Sequence, residues 1–287
     1  MNRLKPWFIS GYVSLALALT VYSLLEVIRR VPPTGLWAGV LLAAGAPALF
    51  FIWLFVAKPS STPRHPMAVT LLSGLGVAVS MAISWRYPGL AGKAFGWAAA
   101  AFIGWFIYLR WYSVFPDRGR SSLKVGTLLP DFSFYSLDGQ SIDSASLRGQ
   151  PHILIFYRGN WCPLCMAQVR DIAAAYRELS DRGARIMLVS PQPAGHSQKL
   201  AHRFAAPLEF FEDRHNQAAR TLGIDSKSGI PAGMQLLGYA SDTTMPTVVI
   251  SDTDGRVLFA DLTDNYRVRP EPDTYLQVLD KAIPGSD

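Results

Sequence analysis

The chain has 287 residues, a formal charge of +6 and only two cysteines, too few to staple a secreted disulfide scaffold. Its basic excess lies in the first 112 residues, which hold nine Lys or Arg against the single acid Glu26, while the remainder is slightly acidic. The positive charges flank apolar runs instead of clustering on a polar surface, which argues against nucleic-acid binding.

Four apolar runs occupy residues 7–28, 36–57, 67–85 and 90–112. Each reaches the roughly 20 residues that a bilayer-spanning helix requires. Breakers and charges separate them: Arg29, Arg30, Pro32 and Pro33, then Lys58, Pro59, Pro63, Arg64 and Pro66, then Arg86, Pro88 and Gly89. Trp7, Trp37, Trp53, Trp85 and Trp111 sit near run ends, where interfacial anchors belong. The first run is too long for the apolar core of a signal peptide and three more follow, so it reads as a retained helix. Residues 1–112 are therefore expected to form a four-helix transmembrane region, an α-helical membrane bundle.

An even number of spans puts both termini on one side of the bilayer. That side carries about twice as many basic residues as the other, so the positive-inside rule places the termini in the cytoplasm of a bacterial inner-membrane protein. The ionisable residues inside the runs, Glu26 and Lys93, lie near run ends and reach the interface by snorkelling. Gly92, Gly96, Ala100 and Gly104, with Gly35 and Gly39, read as close helix-packing faces, and Pro47 as a kink in the second helix. The bundle reads as an anchor, with a bound lipid, a quinone or a partner membrane protein as the alternative. No cysteine precedes Cys162, which excludes a thiol relay through the helices.

Residues 113–123 are polar and basic and read as a juxtamembrane linker, leaving 124–287 as a second domain. Alternating residues around Asp138-Gly139 predict a hairpin, and the apolar run 152–157 predicts a central strand. A helix over 166–179, a strand over 184–190, a helix over 197–204, a short strand over 208–211 and a helix over 216–222 follow. Residues 247–260 form a second hairpin turning at Asp254-Gly255, and 274–283 a final helix. Strands alternating with helices and closing on a hairpin describe an α/β domain with a central mixed sheet.

Both cysteines lie in Phe156-Tyr-Arg-Gly-Asn-Trp-Cys-Pro-Leu-Cys165, between the predicted central strand and a helix. Cys-x-x-Cys at a helix entrance points to dithiol chemistry. Structural zinc needs about four ligands, a second pair is absent, and the five histidines are scattered, so no metal is expected. Cys162 falls at the N-cap and Pro163 at the first helical position, where its missing N–H costs nothing. The free amides and dipole of the first turn favour a thiolate on Cys162. Cys162 then attacks and Cys165, one turn in, resolves the mixed disulfide, with the reverse assignment as the alternative. Arg158 either adds positive charge beside the thiolate or is solvated. Trp161 either lids the sulfur or only packs. Residues 229–233 read as a plain loop, with a cover over the site as the alternative.

Pro130-Asp131-Phe132, the Asp138-Gly139 hairpin, the Trp-Cys-Pro-x-Cys motif, Met245-Pro246-Thr247 and the closing Asn265-Tyr-Arg-Val-Arg-Pro-Glu-Pro together resemble the thioredoxin superfamily. Within it they are most similar to the peroxiredoxin-like branch of the alkyl hydroperoxide reductase/thiol-specific antioxidant (redoxin) family. The resemblance covers about 124–283. It implies a thioredoxin-like fold, a redox-active Cys162–Cys165 disulfide with no other cofactor, and reduction by an external thioredoxin- or glutathione-type thiol system. It also implies that Met245, Pro246 and Thr247 form a cis-proline turn facing the cysteines and offering a backbone edge to substrate. Two departures stand out. The proline and threonine of the peroxiredoxin Pro-x-x-x-Thr-x-x-Cys pattern fall on Ile155 and Gly159, and the buried carboxylate of thioredoxins falls on Phe156. The expected protein is a membrane-anchored thiol–disulfide oxidoreductase acting on a peroxide or a protein disulfide. The alternative is a transport or lipid- or quinone-binding membrane protein with a redox-sensing redoxin domain.

Overall fold

The computed structural model describes residues 2–30, 34–86, 88–115 and 118–282. Pro32 and Pro33 of the first predicted spacer, Pro116 of the predicted linker and Ile283 of the last predicted helix lie outside them. The chain divides into two compact units. One comprises Leu4–Ala57 and Pro63–Val114; the other comprises Met1–Arg3, Lys58–Thr62 and Phe115–Asp287.

The first unit holds four helices, α1 (Lys5–Ile28), α2 (Thr34–Val56), α3 (Met67–Arg86) and α4 (Pro88–Ile107), each long and apolar enough to cross a membrane. Small residues let α2 and α3 touch. A Cβ on Gly39 would collide with Ser80 and with the Gly76 carbonyl, and one on Gly76 with the Ala43 backbone. Ser73 Oγ donates to Ala43 O at 2.7 Å across the same crossing. Gly104 lies against the Tyr12 ring, whose hydroxyl donates to Ala101 O at 3.0 Å. Gly92 and Gly96 have open space where a side chain would stand, so the four-residue repeat on α4 is not one packing face. A period of four does not say which rungs meet a neighbour. Pro47 sits inside α2 without ending it. After Ile107 the chain makes a π-helical turn, Tyr108–Tyr112, and Lys5 Nζ donates to Tyr112 O (3.3 Å) and Val114 O (2.8 Å). A cation at these carbonyls complements the negative end of α4.

The second unit is built on a seven-stranded mixed sheet. In chain order its elements are β1 (Ser133–Ser136), β2 (Ser141–Asp143), β3 (His152–Phe156), α5 (Pro163–Ala174), α6 (Tyr176–Asp181), β4 (Arg185–Ser190), α7 (Ala194–Ala201), β5 (Glu209–Glu212), α8 (Gln217–Thr221), β6 (Asp225–Ser226), β7 (Thr243–Thr244), β8 (Thr247–Ser251), β9 (Val257–Ala260) and α9 (Pro272–Ala282). The sheet order is β2-β1-β5-β4-β3-β8-β9, with β3 parallel to β4 and antiparallel to β8. Every residue of β3 is buried, as its unbroken apolar run requires of a strand covered on both faces. Leu154 and Phe156 face a core of Phe134, Met187, Val189, Phe211 and Val249. Truncating either to Ala in such a core costs about 2–5 kcal/mol. The two predicted hairpins are β1–β2, turning at Gly139 (φ +92°), and β8–β9.

Three sequence expectations change. The helix after the cysteines is two helices, broken at Ala175. The short ladder β6–β7, absent from the sequence reading, frames an excursion that includes 229–233. In the predicted linker 113–123, Ser113, Phe115, Arg118, Ser121 and Leu123 are buried. Arg118 is buried, its Nε donating to Thr263 O (2.9 Å), Nη1 to Thr247 Oγ1 (2.7 Å) and Nη2 to Pro246 O. A polar, basic composition described an exposed linker, but a guanidinium with three acceptors can be buried.

Candidate active site

Strand β3 delivers the chain to the first turn of α5 through Tyr157, Arg158, Gly159, Asn160 and Trp161. Gly159 has φ +142°, and a Cβ there would meet the Trp161 indole at 2.7 Å, so the turn requires glycine. Beneath it, Gln192 Oε1 accepts from Asn160 N (2.8 Å), and Gln192 Nε2 donates to Tyr157 OH (3.0 Å) and Ser197 Oγ (2.9 Å). Tyr239 hydroxyl donates to Asn160 Oδ1, and Thr243 Oγ1 to Arg158 O at 3.0 Å. The turn is thus held by side chains from three later elements.

Cys162 is the N-cap of α5, extended at φ −91°, ψ 110°, and its Sγ accepts the Cys165 N–H at 3.4 Å. Pro163 is the first helical residue, as the sequence requires. Both cysteines are free thiols, Cys162 2% and Cys165 0% exposed. The group that dominates the site is Arg269, which the sequence reading did not single out. Its Nη2 lies 3.4 Å from Cys165 Sγ and 3.9 Å from Cys162 Sγ. Nη1 donates to Gln168 Oε1 (2.7 Å) and Nε to Tyr266 O (3.1 Å). Gln168 Nε2 donates in turn to the Tyr275 hydroxyl (3.2 Å), so α5 and α9 both steady the guanidinium.

The two thiols titrate as a pair. Burial opposes charge on Cys165, yet the Cys162 thiol and the Arg269 guanidinium outweigh it and hold Cys165 well below the ordinary thiol range. Burial, followed by the hydrogen bond and charge of Cys165, pushes Cys162 well above that range. The first proton therefore leaves the pair easily and the second with difficulty. The negative charge of the resting pair rests on the inner sulfur, nearest Arg269, where the helix-dipole argument put it on Cys162.

Arg158 is not solvated. It is 4% exposed, its Nη2 donates to Gly229 O, and its guanidinium lies 4.7 Å from the Trp161 ring centroid and 5.3 Å from that of Tyr266. It adds positive potential to Cys162 and stacks in a cation–π contact on Trp161. Met245, Pro246 and Thr247 are buried at the start of β8, with Thr247 paired to Phe156. Their backbone edge is occupied by the chain itself. Met245 N donates to Ile224 O (2.7 Å), Met245 O accepts from Thr247 Oγ1 (3.0 Å), and Pro246 O accepts from Arg118. The open edge implied by the resemblance is not present here, because Arg118, read as linker, fills it.

A mixed sheet with a dithiol at the N-terminus of the helix after its central strand defines a thioredoxin-type redox domain. Comparison with known proteins narrows the class: residues 125–260 match the model of the AhpC/TSA family, and the chain carries an AhpC/TSA redoxin domain of the peroxiredoxin-like kind. Chloroplastic peroxiredoxin Q of Triticum aestivum is 24% identical over 101 residues, 35% of this chain and 46% of that protein. Peroxiredoxin Bcp of Escherichia coli is 21% identical over 135 residues, 47% of this chain and 83% of its own. The thiol-disulfide oxidoreductase ResA of Bacillus subtilis is 22% identical over 140 residues, 49% of this chain and 68% of its own. The chain thus spans less than half of the wheat relative's length. Among solved structures, peroxidoxin BcpB of Mycobacterium tuberculosis aligns with a TM-score of 0.46 at 20% identity, over 57% of this chain and 99% of that one.

Proposed function

We propose that the protein is a membrane-anchored dithiol oxidoreductase whose preferred oxidant is small, of the peroxide class. The observation that carries the choice of oxidant is the occupied backbone edge beside buried sulfurs. An extended protein segment would have to displace Arg118 to pair with Met245–Pro246, whereas a hydroperoxide needs only to reach Cys162. Cys162, the less buried sulfur, attacks as its proton passes to the Cys165 thiolate along their hydrogen bond. The Cys162 thiolate takes the terminal peroxide oxygen with its hydrogen, the O–O bond breaks, and the leaving alkoxide or hydroxide departs as alcohol or water with the proton that Cys165 had taken up, which makes Cys165 a thiolate again. Cys165 then attacks the Cys162 sulfenic acid, an S–S bond forms and water departs. An external dithiol of the thioredoxin or glutathione type returns two electrons by exchange. Arg269 and Arg158 stabilise the thiolates throughout.

Stopped-flow oxidation of the reduced protein by hydrogen peroxide tests this reading. The expected rate is well above that of a free thiol and vanishes in Cys162→Ser, with insulin disulfide reduction slow by comparison. A peroxide rate equal to a free thiol's, alongside rapid insulin reduction, transfers the function to protein disulfides.

The anchor reading is supported by the outward-facing apolar side chains of the four helices, and the basic bias supports a cytoplasmic redox unit. Because the native sulfurs are buried, sidedness is best read from Leu236→Cys, at a position 91% exposed, in a chain lacking Cys162 and Cys165. A membrane-impermeant maleimide should label it only after permeabilisation. Labelling in intact cells reverses the orientation.

A further inference from the structure

The connection between α2 and α3 belongs to the redox unit, not to the helices it joins. Lys58, with φ +46°, turns the chain off the end of α2, and its carbonyl accepts from Arg170 Nη2 on α5 at 3.3 Å. Ser61 and Thr62 then run beside the segment that carries Arg269. Thr62 N donates to Arg267 O at 2.8 Å, and Arg269 N donates to Ser61 Oγ at 3.2 Å. Arg267 Nη1 donates to Thr62 Oγ1 at 3.0 Å. Arg267 is 0% exposed and Thr62 4%, so this is an interior ladder, not a surface contact. The backbone of Arg269 is held from one side by Ser61, while its guanidinium reaches the two sulfurs on the other.

From this geometry we infer that Ser61 and Thr62 are positioning residues for the dithiol. They fix the Tyr266–Arg269 backbone so that the guanidinium stands against Cys165 and Cys162. The redox centre is therefore completed by the stretch joining two bilayer-length helices, a role that no redoxin motif in the sequence assigns. The inference rests on the dithiol reading above, in which an activated thiolate does the chemistry. Removing the two hydroxyls takes one hydrogen bond from the Arg267 guanidinium and one from the Arg269 amide in a buried place. The guanidinium then loses its fixed aim without being lost itself.

The test uses the full chain in detergent and measures cysteine alkylation by iodoacetamide against pH, quantified by mass spectrometry. The wild type should react at pH 6 faster than a free thiol, because the first proton of the pair leaves easily. Ser61→Ala/Thr62→Val should react about fivefold more slowly at pH 6, the effect of about one lost hydrogen bond. At pH 9.5, where the first proton of the pair is gone in both proteins, its rate should equal the wild type's. Thr62→Ser alone should restore the wild-type profile. An unchanged profile in the double variant overturns the inference while the dithiol reading stands. Faster alkylation at every pH also overturns it, since that is what loosened packing around buried sulfurs produces. A wild-type profile matching a free thiol removes the dithiol reading itself.

Discussion

In the helical unit small residues such as Ala43, Ala44, Ala98 and Ala101 are buried beside an aromatic group of Phe50, Phe51, Trp105 and Tyr108, while many large apolar side chains, among them Leu49, Phe55, Leu75 and Ile103, face outward. In the redox unit few do. Phe134, Leu154, Ile155 and Leu188 are inside, and among the described residues its exposed large apolar side chains are Val125, Leu128, Leu236 and Leu237. On the proposed membrane reading, the two units obey the same packing physics in different solvents. Where the surroundings are hydrocarbon, burying a leucine gains little and close backbone approach becomes the means of association. Where they are water, apolar area drives the collapse.

Two substitutions sharpen that contrast. Leu75→Arg and Leu236→Arg both place a charge at an exposed leucine, 53% and 91% exposed. At Leu75, in the middle of α3, the charge should cost about 2.5–3.5 kcal/mol of membrane insertion, scored by the inserted fraction in a translocation assay. At Leu236 it should shift the unfolding free energy by no more than about 0.5 kcal/mol. Equal effects at the two positions would break the comparison. A third substitution lies at the boundary of chemistry and packing. Arg269→Met keeps volume and removes charge. It should lower thiol alkylation at pH 6 by about ten- to a hundredfold, the worth of a charge-assisted hydrogen bond. Arg269→Lys should recover part of that loss, because the charge returns without the two-pronged hold on Gln168 and the sulfurs. An Arg269→Met profile that matches the wild type at every pH would leave the thiolate to the helix dipole alone.

Much of the redox unit could be read from the chain because its signals are local. An alternating run with Asp-Gly at its centre gives a hairpin, an unbroken apolar run gives β3, and Cys-Pro gives an N-cap with its proline in place. Residues whose role depends on distant partners were invisible. Arg118 looked as if it belonged in water and Arg158 was open between the site and solvent, yet each is buried by a specific set of carbonyls and rings. Arg269 lies 104 positions beyond Cys165 in an irregular stretch with no periodicity to mark it. One signal did exist. Arg267 and Arg269 stand two apart, and two closely spaced arginines before a proline invite the question of what they bind. For the helices, hydropathy located four long apolar helices, but spacing alone misassigned Gly92 and Gly96, because rotation about a helix axis is set by neighbours.

The ladder between Ser61 and Arg269 joins residues 208 positions apart, and this has a consequence for the order of synthesis. At about 5–20 residues per second, Cys165 leaves the ribosome roughly 5–20 s before Arg269 does. During that interval the thiols exist without their guanidinium, as ordinary cysteines on an unfinished sheet. The acidic, reactive pair comes into being only when the C-terminal stretch returns to a loop made near the start. On the dithiol reading, reactivity that depends on Arg269 is thereby withheld from a chain whose synthesis has not yet passed that residue.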